Sequence, residues 1–241
     1  MTSSAVPDPS ARPTAGAAGG EQPTGAATSA PASGASARAV LGMIAYGQLA
    51  AFSRLAADAA LAPELAQRLE LSRLAGIALT RLERIGERTK ELGDDLEPVM
   101  APFAGALVEF DERTSPGSWW ERLLKSYVGY GVADDFSRIA AAGLDPVTRD
   151  LVLDVLADAG HAHLVVEALA EAARQDPTLA SRLALWGRRL VGEALGVVQR
   201  VLADHPDLRA LVGEEPDAQQ RLFSSLTAEH SRRMERLGLT P

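Results

Sequence analysis

Residues 41–55 have the sequence LGMIAYGQLAAFSRL, and this stretch indicates the fold class. Its large apolar residues recur at intervals of three and four positions, which is the period of one face of an α-helix. They are Leu41, Ile44, Ala45, Leu49, Phe52 and Leu55. Aromatic residues make up only 5% of the chain, and the strong helix formers Ala and Leu dominate it. The sequence therefore predicts an all-α protein.

The composition excludes several classes of function. The 241 residues are 46% hydrophobic and 23% charged, which is typical of a globular protein with one or two domains. A net charge of −8 argues against a basic nucleic-acid coat protein, although a local basic patch remains compatible with it. Cysteine is absent, which excludes disulfides, thiolate metal sites and cysteine nucleophiles. No segment has the long apolar run of a membrane span, so we expect a cytoplasmic protein without membrane contact.

Residues 1–38 form a separate region. They are almost entirely Ala, Ser, Thr, Gly and Pro, and Val6 is the one bulky apolar residue after Met1. Such a segment cannot bury enough surface to offset the entropy of ordering it, and it lacks the apolar core of a signal peptide. We predict a disordered tail over 1–38, for which a tethering role stays open, and a helical domain over 39–241.

Proline, glycine and capping residues mark the ends of the predicted helices. The long helices are expected from 39 onward and over 63–92, 118–142, 146–175, 177–204 and 216–237, with a short helix over 103–110 in the connection between the second and third. Two long helices, a longer crossover and two further long helices give the chain order of a ferritin-like four-helix bundle with additional C-terminal helices. A helix-turn-helix regulator is the alternative, but the short N-terminal helix pair that it needs is missing.

Polar residues on the predicted buried faces are the candidate functional residues. Gln48 lies on the apolar face of the first helix, and Asp135 follows the apolar stripe of the third. Asp158 and His161 are three positions apart in the fourth helix, so their side chains would be neighbours. A carboxylate in a helical core needs a cation or hydrogen-bond donors. Two interpretations follow: an Asp–His ion pair that packs the helix, or a metal site.

Several short motifs resemble ferritin-like proteins of the tRNA hydroxylase-like family. They are AYGQL at 45–49, KSYVG at 125–129, ADDF at 133–136, DAGH at 158–161 and LWGRRLVGEA at 185–194. The namesake of the family is the diiron enzyme that hydroxylates 2-methylthio-N6-isopentenyladenosine in tRNA. The resemblance extends over about residues 39–240 and implies a ferritin-like fold.

The resemblance also implies that half of a diiron site is degraded. A carboxylate-bridged diiron centre takes a carboxylate from each of two helices and a carboxylate-x-x-His pair from each of the other two. The family pattern has Glu at the position of Gln48, and a Glu-x-x-His pair at Ala78 and Arg81. An amide is a poor ligand for a hard cation, alanine has no donor atom, and arginine cannot ligate a metal.

The other half of the pattern is retained. Asp135, Asp158 and His161 are possible residual metal ligands, with the register of the third helix open by one turn. Tyr130 and Glu193 are further polar candidates beside the site, and Glu193 lies inside an apolar run of the fifth helix.

Arg81 suggests a replacement for the metal. We hypothesise that its guanidinium sits where one iron would sit and pairs with Asp135 or Asp158, because buried carboxylates need positive charge. The alternative is that Arg81 reaches solvent at the edge of its helix.

Two functional hypotheses follow. In the first, the protein is a degenerate member without a working diiron centre or cofactor, and acts as a helical interaction or ligand-binding module. In the second, it is an O2-dependent diiron or mono-iron hydroxylase acting on a prenylated tRNA base or another aliphatic substrate. Partners of two kinds are conceivable: a second copy of the chain through helix packing, and tRNA through a basic cluster. The cluster contains Arg188, Arg189, Arg232, Arg233 and Arg236.

Overall fold

The bundle begins with a pair of long helices, α1 (Gly34–Leu61) and α2 (Leu65–Glu91). The computed structural model describes residues 1–2, 34–157, 161–213 and 215–241, without the side chain of His161. α1 begins at Gly34, before the boundary expected at 39, and Ser36 and Ala37 are already buried. The rest of the predicted tail lies almost wholly outside the described residues.

The crossover contains two short helices, α3 (Leu96–Met100) and α4 (Val108–Arg113), with a 3-10 turn following α3. The single short helix expected over 103–110 is therefore wrong. Gly105 interrupts it, because this residue adopts a positive φ of 86° that ends helical geometry. α3 packs directly against α1 at Gly42, where a Cβ atom would collide with the carbonyl oxygen of Val99.

The third long helix contains a wider turn in its middle. It consists of α5 (Trp119–Leu124), a π-helical segment (Lys125–Gly129) and α6 (Tyr130–Ala141). Ser118 caps α5 as predicted, since its side chain accepts a hydrogen bond from the Glu121 amide at 3.2 Å. All five residues of the π segment are buried. Such segments occur frequently at functional sites.

The helix predicted over 146–175 is interrupted. α7 (Pro146–Val155) ends before residue 158, and α8 (His161–Gln175) begins after it. In a continuous helix, the carbonyl oxygens of Leu156 and Ala157 would accept amides four residues further on. Here they accept hydrogen bonds from the guanidinium groups of Arg138 and Arg81. Two cations therefore bind the carboxyl end of α7, where the helix dipole favours positive charge.

The C-terminal part contains α9 (Pro177–Asp204), α10 (Pro206–Val212) and α11 (Ala218–Arg236). Asp176 caps α9 as predicted, accepting from the amides of Thr178 at 2.9 Å and Leu179 at 3.1 Å. α10 was not expected from the sequence. α11 packs closely on α9 because Gly187 has no side chain and leaves room for Met234.

α1 is the one described helix that is long and apolar enough to cross a membrane. Its residues Val40, Leu41 and Ala45 are instead completely buried among the side chains of the main hydrophobic core. That burial is typical of a core helix in a helical bundle. Within the described ranges the protein is helical throughout and has no strand, so the all-α prediction is confirmed.

Candidate functional site: a cavity inside the bundle

A cavity of about 400 Å³ lies inside the bundle. Its walls are supplied mainly by α1, α2, the π segment, α6 and α9, with a few residues from the crossover, the end of α7, α8 and α11. α1 lines it from Met43 to Leu55, which corresponds to about 18 Å at 1.5 Å per residue. The volume falls within the range of sites for small molecules.

The three positions that the resemblance marks as lost metal ligands all line this cavity. Gln48 is 7% exposed and Ala78 is 3% exposed, so both lie on the inner faces of their helices. Arg81 is half-buried and donates a hydrogen bond to the carbonyl oxygen of Ala157. Its guanidinium is therefore held at the end of α7 by a backbone group.

Asp135 is directed toward α11 and forms a clamp there. It accepts two hydrogen bonds from Arg233, at 2.6 and 2.7 Å, and one from Arg138 at 3.1 Å. Gly131 makes room for this contact, since a Cβ atom at that position would lie 2.7 Å from Nε of Arg233. The hypothesised pairing of Arg81 with Asp135 is wrong, because arginines of α6 and α11 already bind this carboxylate. Asp135, a possible metal ligand in the sequence, is bound here by two arginines.

Asp134 is the carboxylate of α6 that lines the cavity. Burial raises the pKa of its carboxyl above the usual 3.8, and the nearby Arg138 and Arg233 oppose that shift. No hydrogen bond links it to another described residue. Asp134 was not among the residues predicted for the site. Successive residues of a helix point about 100° apart around its axis, and the apolar pattern of the third helix did not show which of the two aspartates faces the cavity.

Three further polar side chains complete the wall. The guanidinium of Arg54 lies over the ring of Tyr130, 3.3 Å from its centroid, and its Nε is buried without a hydrogen-bond partner in the described part. Tyr130, a candidate from the sequence, donates its hydroxyl hydrogen to Asp111, and burial raises its pKa above the usual 10. Tyr127 is 7% exposed, and its hydroxyl is buried with no partner among the described residues.

The other candidates from the sequence lie elsewhere or cannot be assessed. Glu193 forms an ion pair with Arg113 at 3.4 Å and is not directed toward the cavity. It is therefore bound on another side of α9, which corrects its expected place beside the metal site. Asp158 and the side chain of His161 lie outside the described residues.

The described residues do not fit the diiron centre that the fold implies. No group of three His, Asp or Glu side chains that could hold a metal occurs among them. At the three positions where the resemblance expects metal ligands, the protein offers one neutral amide, one methyl group and one guanidinium. The guanidinium would repel a metal cation, and two adjacent irons need bridging carboxylates to offset their mutual repulsion.

The arginines of the predicted basic cluster bind separate partners within the protein. Arg233 points inward to Asp135, and Arg232 forms an ion pair with Glu229. Arg189 donates to the carbonyl oxygen of Arg113, and Arg188 donates to that of Pro241 at 3.1 Å. The cluster is therefore not a single surface of free cations.

Comparison with known proteins identifies the family. No curated protein matches the chain. A family model described as a ferritin-like domain of actinomycetes matches residues 34–215, which covers α1 through α10 and most of the chain. The helical bundle described above agrees with that fold. The chain therefore belongs to the actinomycete family of ferritin-like domains.

Proposed function

We propose that this protein is a ferritin-like domain without a working diiron centre, and that it binds a small ligand in its core cavity. One observation carries the proposal: Gln48, Ala78 and Arg81 line a cavity of about 400 Å³ at the positions where the family resemblance puts metal ligands. The replacement of metal ligands by an amide, a methyl group and a fixed cation removes the metal chemistry but keeps the enclosed volume.

The composition of the wall supports binding of a small molecule. Such sites are predominantly apolar, with a few placed polar groups that orient the ligand. The apolar part includes Ile44, Leu74, Phe103 and Val198, contributed by different parts of the chain. The polar part includes Gln48 and Tyr127, and the Tyr127 hydroxyl is buried without a hydrogen-bond partner among the described residues. Buried polar groups without partners destabilise a fold, so their retention favours a function in binding.

The first test fills the cavity. We expect Ala78→Phe to weaken binding of the neutral fluorescent probe N-phenyl-1-naphthylamine to the full-length protein by at least about tenfold, because the new ring occupies the site. Ala51→Phe adds the same side chain to the cavity from α1. Ala66→Phe is the matched control, since Ala66 is exposed near the start of α2. Circular dichroism and thermal unfolding would establish that each variant is folded.

The result that contradicts the proposal is equal probe binding by both cavity variants and the control. Absence of probe binding in the unsubstituted protein would contradict it as well.

The motif DAGH at 158–161 favours a second candidate, an iron-dependent hydroxylase. The two candidates differ in metal content. We expect full-length protein purified from iron-supplemented cells to contain far less than one iron per chain by elemental analysis. A reproducible content near two irons would overturn the proposal, and a content near one would favour a single-metal enzyme.

A further inference from the structure

Most of the carboxylates around the cavity are bound by or close to cations. They are Asp58 with Arg122, Asp111 with Lys125, and Asp134 and Asp135 with Arg138 and Arg233. Arg54 forms no ion pair in the described part, although its charge acts on Asp58 and Asp134 and its guanidinium lies over the Tyr130 ring. Arg81 and Arg236 line the cavity as well, so its wall has an excess of positive charge.

Arg54 differs in this respect from comparable arginines. Each of the other half-buried arginines in the described part binds a carboxylate or a backbone carbonyl oxygen. These are Arg81, Arg88, Arg122, Arg138, Arg149 and Arg233. A cation that is partly removed from water loses hydration, and only an anion or strong acceptors compensate for that loss. The Nε of Arg54 is buried and without such an acceptor in the described part.

Two further groups strengthen the case independently of charge. The Tyr127 hydroxyl and the Gln48 amide belong to side chains that are each 7% exposed, and both side chains line the same cavity. The Tyr127 hydroxyl is buried without a partner in the described part. Both groups are able to donate to an oxygen atom, so the wall combines the Arg54 guanidinium with two further donors.

The excess of positive charge in the wall favours an anion. A guanidinium matches a carboxylate in charge and in its two-pronged geometry. The wall also contains aliphatic side chains from several elements, among them Ile44, Leu74 and Val198, and extends about 18 Å along α1. This length and the apolar part of the wall fit an unbranched hydrocarbon chain.

We infer that the ligand of the cavity is an aliphatic monocarboxylate whose carboxylate binds Arg54, Tyr127 and Gln48 while its chain lies along the apolar wall. This inference rests on the proposed function and specifies the class of ligand. Asp134 also faces the cavity, and Arg138 and Arg233 offset its charge.

The test compares three probes of equal chain length on the full-length protein: decanoate, decanol and decyl phosphate. By titration calorimetry at pH 8, we expect decanoate to bind at least about tenfold more tightly than decanol, because only decanoate forms charge-assisted hydrogen bonds. Arg54→Leu is expected to abolish this preference, and Arg54→Lys to retain part of it. Arg68→Leu, an exposed arginine on α2, is the matched control and should leave both affinities unchanged.

Tyr127→Phe provides a second variant that removes one donor without removing charge. It should weaken decanoate by a few-fold and leave decanol unchanged. If Arg54→Leu does not fold, Tyr127→Phe and Arg54→Lys test whether these side chains bind the carboxylate.

The outcomes separate the inference from the proposed function. Equal binding of decanol and decanoate, or tighter binding of decyl phosphate, overturns the carboxylate assignment while the cavity remains a binding site. Binding of N-phenyl-1-naphthylamine without binding of decanoate has the same meaning. Failure of all four compounds to bind overturns the inference and the proposed function together.

Discussion

Asp134 and Asp135 are neighbours in the chain but belong to regions of opposite character. Asp135 lies in the clamp between α6 and α11, where Arg233 and Arg138 together donate three hydrogen bonds to it. Asp134 lies in the cavity wall, where polar groups lack partners among the described residues. The clamp satisfies its charges and stabilises the packing of α11. The cavity wall retains polar groups that lower the stability of the protein when no ligand is bound. Binding sites commonly reduce stability in this way, whereas the surrounding scaffold provides it.

The largest expected effect comes from breaking the clamp. Arg233→Met leaves the Asp135 carboxylate buried without its main partner, so we expect a loss of about 3 kcal/mol in the free energy of unfolding. Urea denaturation of the full-length protein would measure it. Arg232→Met is the control, because Arg232 is an exposed neighbour paired with Glu229 on the same helix. Equal destabilisation by the two variants would mean that the contact between Arg233 and Asp135 contributes no more to stability than an exposed ion pair.

A second prediction concerns His230 in the packed region around α11. Its imidazole is 2% exposed, and burial, assisted by the charge of Arg233, lowers its pKa from 6.5 to about 4. The unfolded chain therefore binds a proton more readily than the folded protein between these pH values. Stability should fall as the pH decreases from 6.5 to 4, with His230 contributing up to about 3 kcal/mol of that loss.

The contribution of His230 is obtained from a difference between proteins. Denaturation of the wild type and of His230→Leu at several pH values should give curves that diverge below pH 6.5, because leucine does not titrate. The carboxylates that titrate in the same range are common to both and cancel. Parallel curves for the two proteins would show that the imidazole is protonated in the folded state.

The smallest effect is expected at Asp134. Burial raises the pKa of this carboxyl above 3.8, so its ionised form destabilises the folded protein as the pH rises. Asp134→Asn should therefore be more stable than the wild type at pH 8, and the gain should disappear in acid, where the wild-type carboxyl is protonated. Asp135→Asn is the matched comparison and should be less stable at pH 8. The same sign of change in both variants would remove the distinction between clamp and cavity.

Local features of the chain were predictable because they depend on neighbouring residues. The caps at Ser118, Asp145 and Asp176 are visible as short patterns, and the helices begin beside them. The burial of Gln48 follows from the helical period. These features need only backbone geometry and the position of apolar residues.

Other features were not predictable because they depend on contacts distant in the chain. The break between α7 and α8 coincides with hydrogen bonds from Arg81 and Arg138 to carbonyl oxygens at the end of α7. The partner of Asp135 is Arg233, which is 98 residues further along the chain. No short pattern records either contact.

The sequence by itself therefore determined an all-helical chain, because helical period is a local property. Only the tertiary structure decided which charges compensate one another. Ion pairing depends on distances of a few ångströms between helices, and a rotation of one residue along α6 exchanges the carboxylate of the clamp for that of the cavity. The position of Arg54 over the Tyr130 ring emerged in the same way, from the arrangement of the side chains around it.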